Sequence, residues 1–257
     1  MSIWTHNFKT LEFNSSWTLP DNSGTAEVFI AGSGNIWFDV YSYAISLGKT
    51  VVGGGAKDVG LGGFLQGGGH GPFSSHYGLG SDQILQVTIV TTVGDIFVAN
   101  SQQNQDLFWA VKGGQAGNYG VVTEYVLKAY PAPSSVVKGT LSLSAAQTDN
   151  ASIAANWNAF SVLQMSLPDL MDAGLTGSSI SFTDPSTGAV SVTHTFFGYN
   201  LTNDEFTALI QPVADSMQAH GPNSSLTVTW GEPSNYTNFI SFFESSNPDP
   251  SPAGVDP

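Results

Sequence analysis

Twelve glycines fall between Val51 and Asp82, in VVGGGAKDVGLGGFLQGGGHGPFSSHYGLGSD, and one histidine, His70, sits between two of them. Backbone without Cβ atoms can turn its N–H groups onto an anion such as a phosphate, or lie flat against a ring system. Glycines also serve tight turns, so a connection with no ligand is the competing reading. The segment matches neither the dinucleotide fingerprint nor the P-loop in full. His70 suits either a ligand hydrogen bond or a local backbone one. Tyr77, beside His76, becomes an acid or base only if its pKa is lowered. His194 alternates with apolar residues, which fits a cavity-facing strand or ordinary sheet packing. Asp82 suits ordering of the turn before a strand. Phe108 and Trp109 could stack on a ligand, but a short amphipathic helix favours their packing in the core. No His/Asp/Glu spacing suits a metal, and no Gly-x-Ser-x-Gly elbow occurs with an acid and a histidine in order.

The elements that must position these groups read as follows. Glu27–Ala31 forms a strand, Ile36–Leu47 a helix stopped by Gly48, and Thr50–Val52 a second strand, a βαβ-like unit whose exit is the glycine segment. Ile84–Val93 and Asp95–Ala99 read as a hairpin, Asp106–Val111 as a short helix and Tyr119–Ala129 as a strand. Pro131 and Pro133 mark a domain boundary. Beyond it come strand Val136–Leu143, helix Thr148–Met165, strands Ala173–Thr183 and Val190–Phe197, helix Asn203–Ala219 stopped by Gly221 and Pro222, and strand Ser225–Trp230. This β-α-β-β-α-β order predicts an antiparallel sheet with two helices on one face. The fold class is α+β, with domains over 1–131 and 132–257.

Composition bounds the function. Twenty acidic residues against six lysines and no arginine give a net charge of −14, which disfavours nucleic acid and anionic membranes as partners and leaves small molecules. No apolar run reaches membrane-spanning length. The absence of cysteine excludes disulfides, thiolate metal sites and cysteine nucleophiles. Sequons at Asn14, Asn150, Asn200, Asn223 and Asn235 lean towards a secreted glycoprotein. The first residues lack signal-peptide character, and the tail after Phe243 reads as a loop, so the expectation is a chain truncated at both ends.

The glycine segment with its continuation QILQVTIVTTVG, followed by DLFWAVKGGQAGNYGVVTEYVLKAYP, resembles the flavin domain of FAD-linked oxidases related to vanillyl-alcohol oxidase and berberine bridge enzyme, the PCMH-type FAD-binding domain. Its marks are Gly69-His70-Gly71, Tyr77-Gly78-Leu79 with Asp82, Asp106-Leu-Phe-Trp-Ala, and Gly117-Asn-Tyr-Gly-Val-Val-Thr123. It covers Ser2 to Pro131, and the region beyond is similar to the family's substrate domain. The opening SIWTHNFKTLEF is most similar to fungal secreted or secondary-metabolism members.

The resemblance implies that Gly54, Gly55, Val59, Gly60, Gly63, Gly67, Gly68, Gly69, His70 and Gly71 run along the pyrophosphate and flavin of FAD. Val121 and Val122 would then sit near its adenine end. Without arginine, the donors to the diphosphate would be mainly main-chain. Ala56 stands where some members carry a flavin-linked cysteine, and His6 is not the tethering histidine of others, so bound FAD would be non-covalent. The implied activity is oxidation of an alcohol, amine or sugar carbon by hydride transfer to flavin, with dioxygen as acceptor. The resemblance assigns no catalytic base. Two alternatives stand beside it: a flavin-free remnant serving as a binding or interaction protein, and a secreted carbohydrate-binding glycoprotein.

Overall fold

The computed structural model describes residues 3–221 and 225–247, so Pro222 and the sequon at Asn223 lie outside the described residues. Two compact units are present, Met1–Ala132 with the segment from Ile240, and Pro133–Phe239. The sequence expectation of domains over 1–131 and 132–257 differs from this in the last segment, which returns to the first unit. Helix α7 (Phe239–Ser246) accounts for that return. Its Phe243 is 1% exposed and packs edge-on to Tyr41, with ring centroids 4.9 Å apart.

In the first unit the elements are β1 (Leu11–Thr18), β2 (Thr25–Gly32), α1 (Trp37–Ser46), β3 (Lys49–Thr50), α2 (Leu61–Gln66), α3 (Ser74–Tyr77), β4 (Ile84–Val90), β5 (Ile96–Asn100), α4 (Gln105–Val111), β6 (Val121–Lys128) and β7 (Tyr130–Pro131). Five of the strands form an antiparallel sheet in the order β1-β2-β6-β4-β5. Period-2 alternation on β4 buries Val87 and Ile89, Ile84 is buried across the register shift before Gln86, and α1 buries Trp37, Val40, Tyr41 and Ala44 at helical spacing.

The expected βαβ-like unit is corrected here. β3 is two residues long and pairs antiparallel with β7 in a separate sheet, not with β2. Val51 and Val52 are buried as strand residues would be, but the bare backbone from Gly53 leaves the ladder. Strand β1 was not expected, because its mostly exposed residues and its register shift between Asn14 and Trp17 blur the alternation.

The second unit holds β8 (Val136–Ala145), α5 (Asn150–Asp172), β9 (Leu175–Thr183), β10 (Val190–Tyr199), α6 (Asn203–Ala219), β11 (Leu226–Trp230) and β12 (Ser234–Tyr236). The sheet is antiparallel, in the order β11-β8-β10-β9, with β12 also pairing β8. Both helices cover one face, where Leu141, Leu143, Val192 and Phe196 of the sheet meet Ala159, Leu163, Phe206 and Ile210. The β-α-β-β-α-β reading therefore stands. α5 runs past its expected end at Met165 and through Pro168, because Leu163 and Leu170 on either side of the proline are both buried. A proline costs about 3 kcal/mol inside a helix, a loss that this burial offsets. α6 opens with a capping box in which Thr202 and Glu205 satisfy each other's backbone N–H groups.

Candidate functional site: a bare backbone strip in the first unit

The strip leaves the core at Gly53 and Gly54. Both glycines are required by the protein itself, since a Cβ on either would run into the indole of Trp37. The strip then surfaces as Gly55, Asp58, Val59 and Gly60, all exposed, with Ala56 and Lys57 half-buried. The start of α1 pins this stretch: the N–H groups of Trp37 and Phe38 donate to the carbonyls of Val59 and Lys57, both at 3.1 Å. Leu61 N–H donates in turn to Asn35 O at 3.2 Å. On α2, Leu61 and Leu65 face inward while Gly63 and Gly67 are exposed one turn apart.

Carbonyls along the strip are drawn onto protein donors. Gly54 O accepts from the Tyr41 hydroxyl at 3.2 Å and Gly55 O from Asn247 Nδ2 at 2.9 Å. Gly62 O accepts from Gln66 Nε2 at 3.2 Å, and Gln66 Nε2 also donates to the Tyr125 hydroxyl at 3.0 Å. Gln66 O accepts from Gln115 N at 2.9 Å, while Gly68 O and Gly69 O accept from Ser81 N and Gly80 N, both at 2.8 Å. A free carbonyl lone pair would repel a phosphate oxygen, so turning these groups onto the protein suits an anion on the other side of the strip.

The space beside the glycines tests that fit. A Cβ at Gly55, Gly63 or Gly68 would meet no protein atom within 4 Å, and at Gly60 it would meet only Asn35 O at 3.9 Å. Among the described residues no packing calls for glycine at Gly55 or Gly63, which leaves room for a ligand against the backbone. Gly68 and Gly69 also have φ of +102° and +75°, which a side chain would strain. Gly69 and Gly71 are different: a Cβ would overlap Phe64 in the first case and Gly53 O in the second. Gly67 lies at the C-terminal end of α2, tight against Gly63 O. The strip thus leaves bare backbone open at Gly55, Gly60 and Gly63, chemistry that suits an anion such as a phosphate.

His70 is exposed, and Gly71 N–H beside it donates to Ser74 Oγ at 3.0 Å. Val121 is half-buried, whereas Val122 is 3% exposed inside β6 and stands opposite Ile89 of β4. The loop before β6 does reach the strip, through Gln115 N–H and through Gly113, whose Cβ would lie 3.9 Å from Gly68 Cα. The buried Gln66–Tyr125 pair was not found from sequence, because it joins residues 59 apart. Burial pushes the Tyr125 hydroxyl up, keeping it a neutral donor and acceptor.

The remaining candidates resolve individually. Tyr77 stacks on Tyr130 at 3.8 Å between centroids, and the Tyr130 hydroxyl, raised by burial and then by Tyr77, donates to Gln83 Oε1 at 2.6 Å. His76 is exposed, and partial desolvation lowers the pKa of its imidazole. Asp82 orders its turn as expected, Oδ2 accepting from Leu79 N–H at 2.9 Å. Phe108 is 9% exposed, but Trp109 is 80% exposed, which corrects the expectation that both pack in the core. The buried face of α4 runs through Phe108, Ala110 and Val111, and Trp109 falls outside it. His194 lies in the second unit on the helix-covered face, 3% exposed, with Nδ1 hydrogen-bonded to Ser179 Oγ. It serves sheet packing there. Among the described residues no group of three or more His, Asp or Glu side chains is placed to hold a metal ion.

The strip lies within a stretch of chain that matches known proteins. Residues 11–100 match the family model described as FAD binding domain. The FAD-linked oxidoreductase ZEB1 of Gibberella zeae is 39% identical over 176 residues, 68% of this chain and 30% of that protein. The bifunctional decalin synthase calF of Penicillium decumbens is 32% identical over 267 residues, 100% of this chain and 42% of that protein. The crystal structure of the VAO-type flavoprotein MtVAO615 from Myceliophthora thermophila C1 superposes with a TM-score of 0.80 at 28% identity, covering 96% of this chain and 42% of that one. The chain thus spans less than half the length of these relatives. With residues 11–100 matched as an FAD binding domain, the chain belongs to the vanillyl-alcohol oxidase and berberine bridge enzyme-like family, whose cofactor is FAD.

Proposed function

We propose that this chain contributes the FAD-binding strip and a substrate-facing sheet to an oxidoreductase that removes hydride from an alcohol, amine or sugar carbon of a small molecule. When bound, FAD supplies the two-electron acceptor, and dioxygen is the proposed oxidant that restores it. The observation that carries the reading is the open space beside Gly55 and Gly63, glycines that no packing among the described residues requires. Gly55, Gly60 and Gly63 hold the diphosphate through backbone N–H groups, while the carbonyls of Gly54, Gly55 and Gly62 are drawn onto Tyr41, Asn247 and Gln66. Gln115 ties the loop before β6 to the same strip, which supports a place for the adenine end near Val121. With Ala56 in the half-buried turn and no cysteine in the chain, the flavin is held without a thioether link.

The fungal relatives support a role in fungal secondary metabolism, and the sequons support secretion as a glycoprotein. Purified protein that is yellow, and releases its colour on acid precipitation, bears out the flavin reading. A colourless protein that takes up no added FAD favours the flavin-free binding protein instead.

A further inference from the structure

Two successive carbonyls at the head of the strip are held from one helix. Asn247 follows directly on α7, four residues after Phe243 and therefore over the same face. Phe243 packs on Tyr41, whose hydroxyl donates to Gly54 O at 3.2 Å. Asn247 acts without an intermediary: its Nδ2 donates to Gly55 O and to Phe243 O, both at 2.9 Å. Carbonyl oxygens only accept, so both contacts demand the NH2 side of the amide and use both of its hydrogens. Capping α7 would need only the bond to Phe243 O. The bond to Gly55 O joins residues 192 apart and serves the strip.

A trans peptide sets its C=O and the N–H that follows on opposite sides, and none of the described peptide bonds is cis. With Gly54 O held by Tyr41, the N–H of Gly55 faces away from α7. With Gly55 O held by Asn247, the N–H of Ala56 does the same. Gly55 is exposed and Ala56 half-buried, and among the described residues neither N–H donates to a protein acceptor. Two successive N–H groups turned off the protein suit an anion.

We propose that α7 is a clasp on the cofactor strip, in which Asn247 is the positioning residue that aims the Ala56 N–H at a phosphate of FAD. The inference rests on the flavin reading above and adds to it a donor, Ala56, together with a residue outside the glycine segment on which that donor depends. Linkage makes the effect mutual. The seat of α7 and the affinity for FAD strengthen each other by the same factor.

The test titrates the 257-residue chain with FAD beside Asn247→Ala, Asn247→Asp and Ser245→Ala, and follows amide hydrogen exchange with and without FAD. Ser245 is the control: its Oγ donates to Phe242 O at 2.7 Å, so its loss also takes a side-chain bond from the end of α7 but leaves the strip untouched. Asn247→Ala should weaken FAD by about tenfold, the scale of one well-aimed hydrogen bond, with a flavin-free melting temperature equal to that of Ser245→Ala. Asn247→Asp, which sets a carboxylate against Gly55 O, should weaken it further. Without FAD, exchange at residues 55–57 should quicken in the Asn247 variants alone. Added FAD should slow exchange across α7 in the unaltered chain, and less so in Asn247→Ala. FAD affinity unchanged in Asn247→Ala, an equal loss in Ser245→Ala, or unaltered exchange at residues 55–57 would each overturn the clasp and leave the flavin reading standing. No uptake of FAD by the unaltered chain would overturn the flavin reading, and the clasp with it.

Discussion

The carbonyl oxygen of Gly53 occupies the space in which a side chain on Gly71 would have to stand. This backbone-on-backbone contact closes the strip on itself, and neither partner can swing aside as a flexible side chain would. Gly71→Ala should cost about 3 kcal/mol, at the upper end of overpacking, and lower the thermal midpoint of the first unit. An unchanged melting temperature would refute the contact.

Gly63 gives the opposite expectation. Its missing Cβ faces open space within α2, so Gly63→Ala should leave the fold as stable or improve it by about 0.5–1 kcal/mol. The same methyl should loosen FAD by about tenfold. Parallel melting and flavin titrations separate the two effects.

Removal of the Phe243 ring tests the return of α7 to the first unit. The side chain is buried against Tyr41, and Phe243→Ala should cost about 3–5 kcal/mol in urea denaturation. A cost below about 1 kcal/mol, the level of a surface change, would contradict that packing.

His194 gives the second unit a pH dependence. Burial lowers its pKa from 6.5 to about 4, so the folded protein keeps the ring neutral. Below pH 6.5 the unfolded chain takes up a proton that the folded one refuses. Stability is therefore full above that pH, falls between 6.5 and 4 by up to about 3 kcal/mol, and levels off below. Asp149 and Glu205 act in a lower window: their hydrogen bonds to Ser152 and Thr202 depress the carboxyls, and that stability goes only as pH falls through the carboxylate range. His194→Leu should flatten the urea midpoint between pH 7 and pH 5. An equal slope in the variant would show that His194 is not its source.

The second unit was the more legible part of the sequence. Its strand β10 alternates cleanly, Thr202 and Glu205 mark the start of α6, and the pairing of β9 with β10 is local in sequence. β1 and β3 were not, because exposed residues blur the first and the glycine run cuts the second to two residues. At the site, the sequence showed that backbone was bare but not why. Sorting Gly53, Gly54, Gly69 and Gly71, which accommodate Trp37, Phe64 and each other, from Gly55, Gly63 and Gly68, which accommodate nothing in the chain, needed coordinates. The same holds for Trp109, whose exposure depends on how α4 is turned rather than on its composition.

The central claim is most directly tested by titrating the purified 257-residue chain with FAD and following flavin fluorescence and visible absorption, beside Gly63→Ala as a stable, folded control. The account predicts saturable uptake of one FAD per chain, weakened about tenfold in the variant. Absence of uptake by the unaltered chain, or equal affinity in the two proteins, would contradict it.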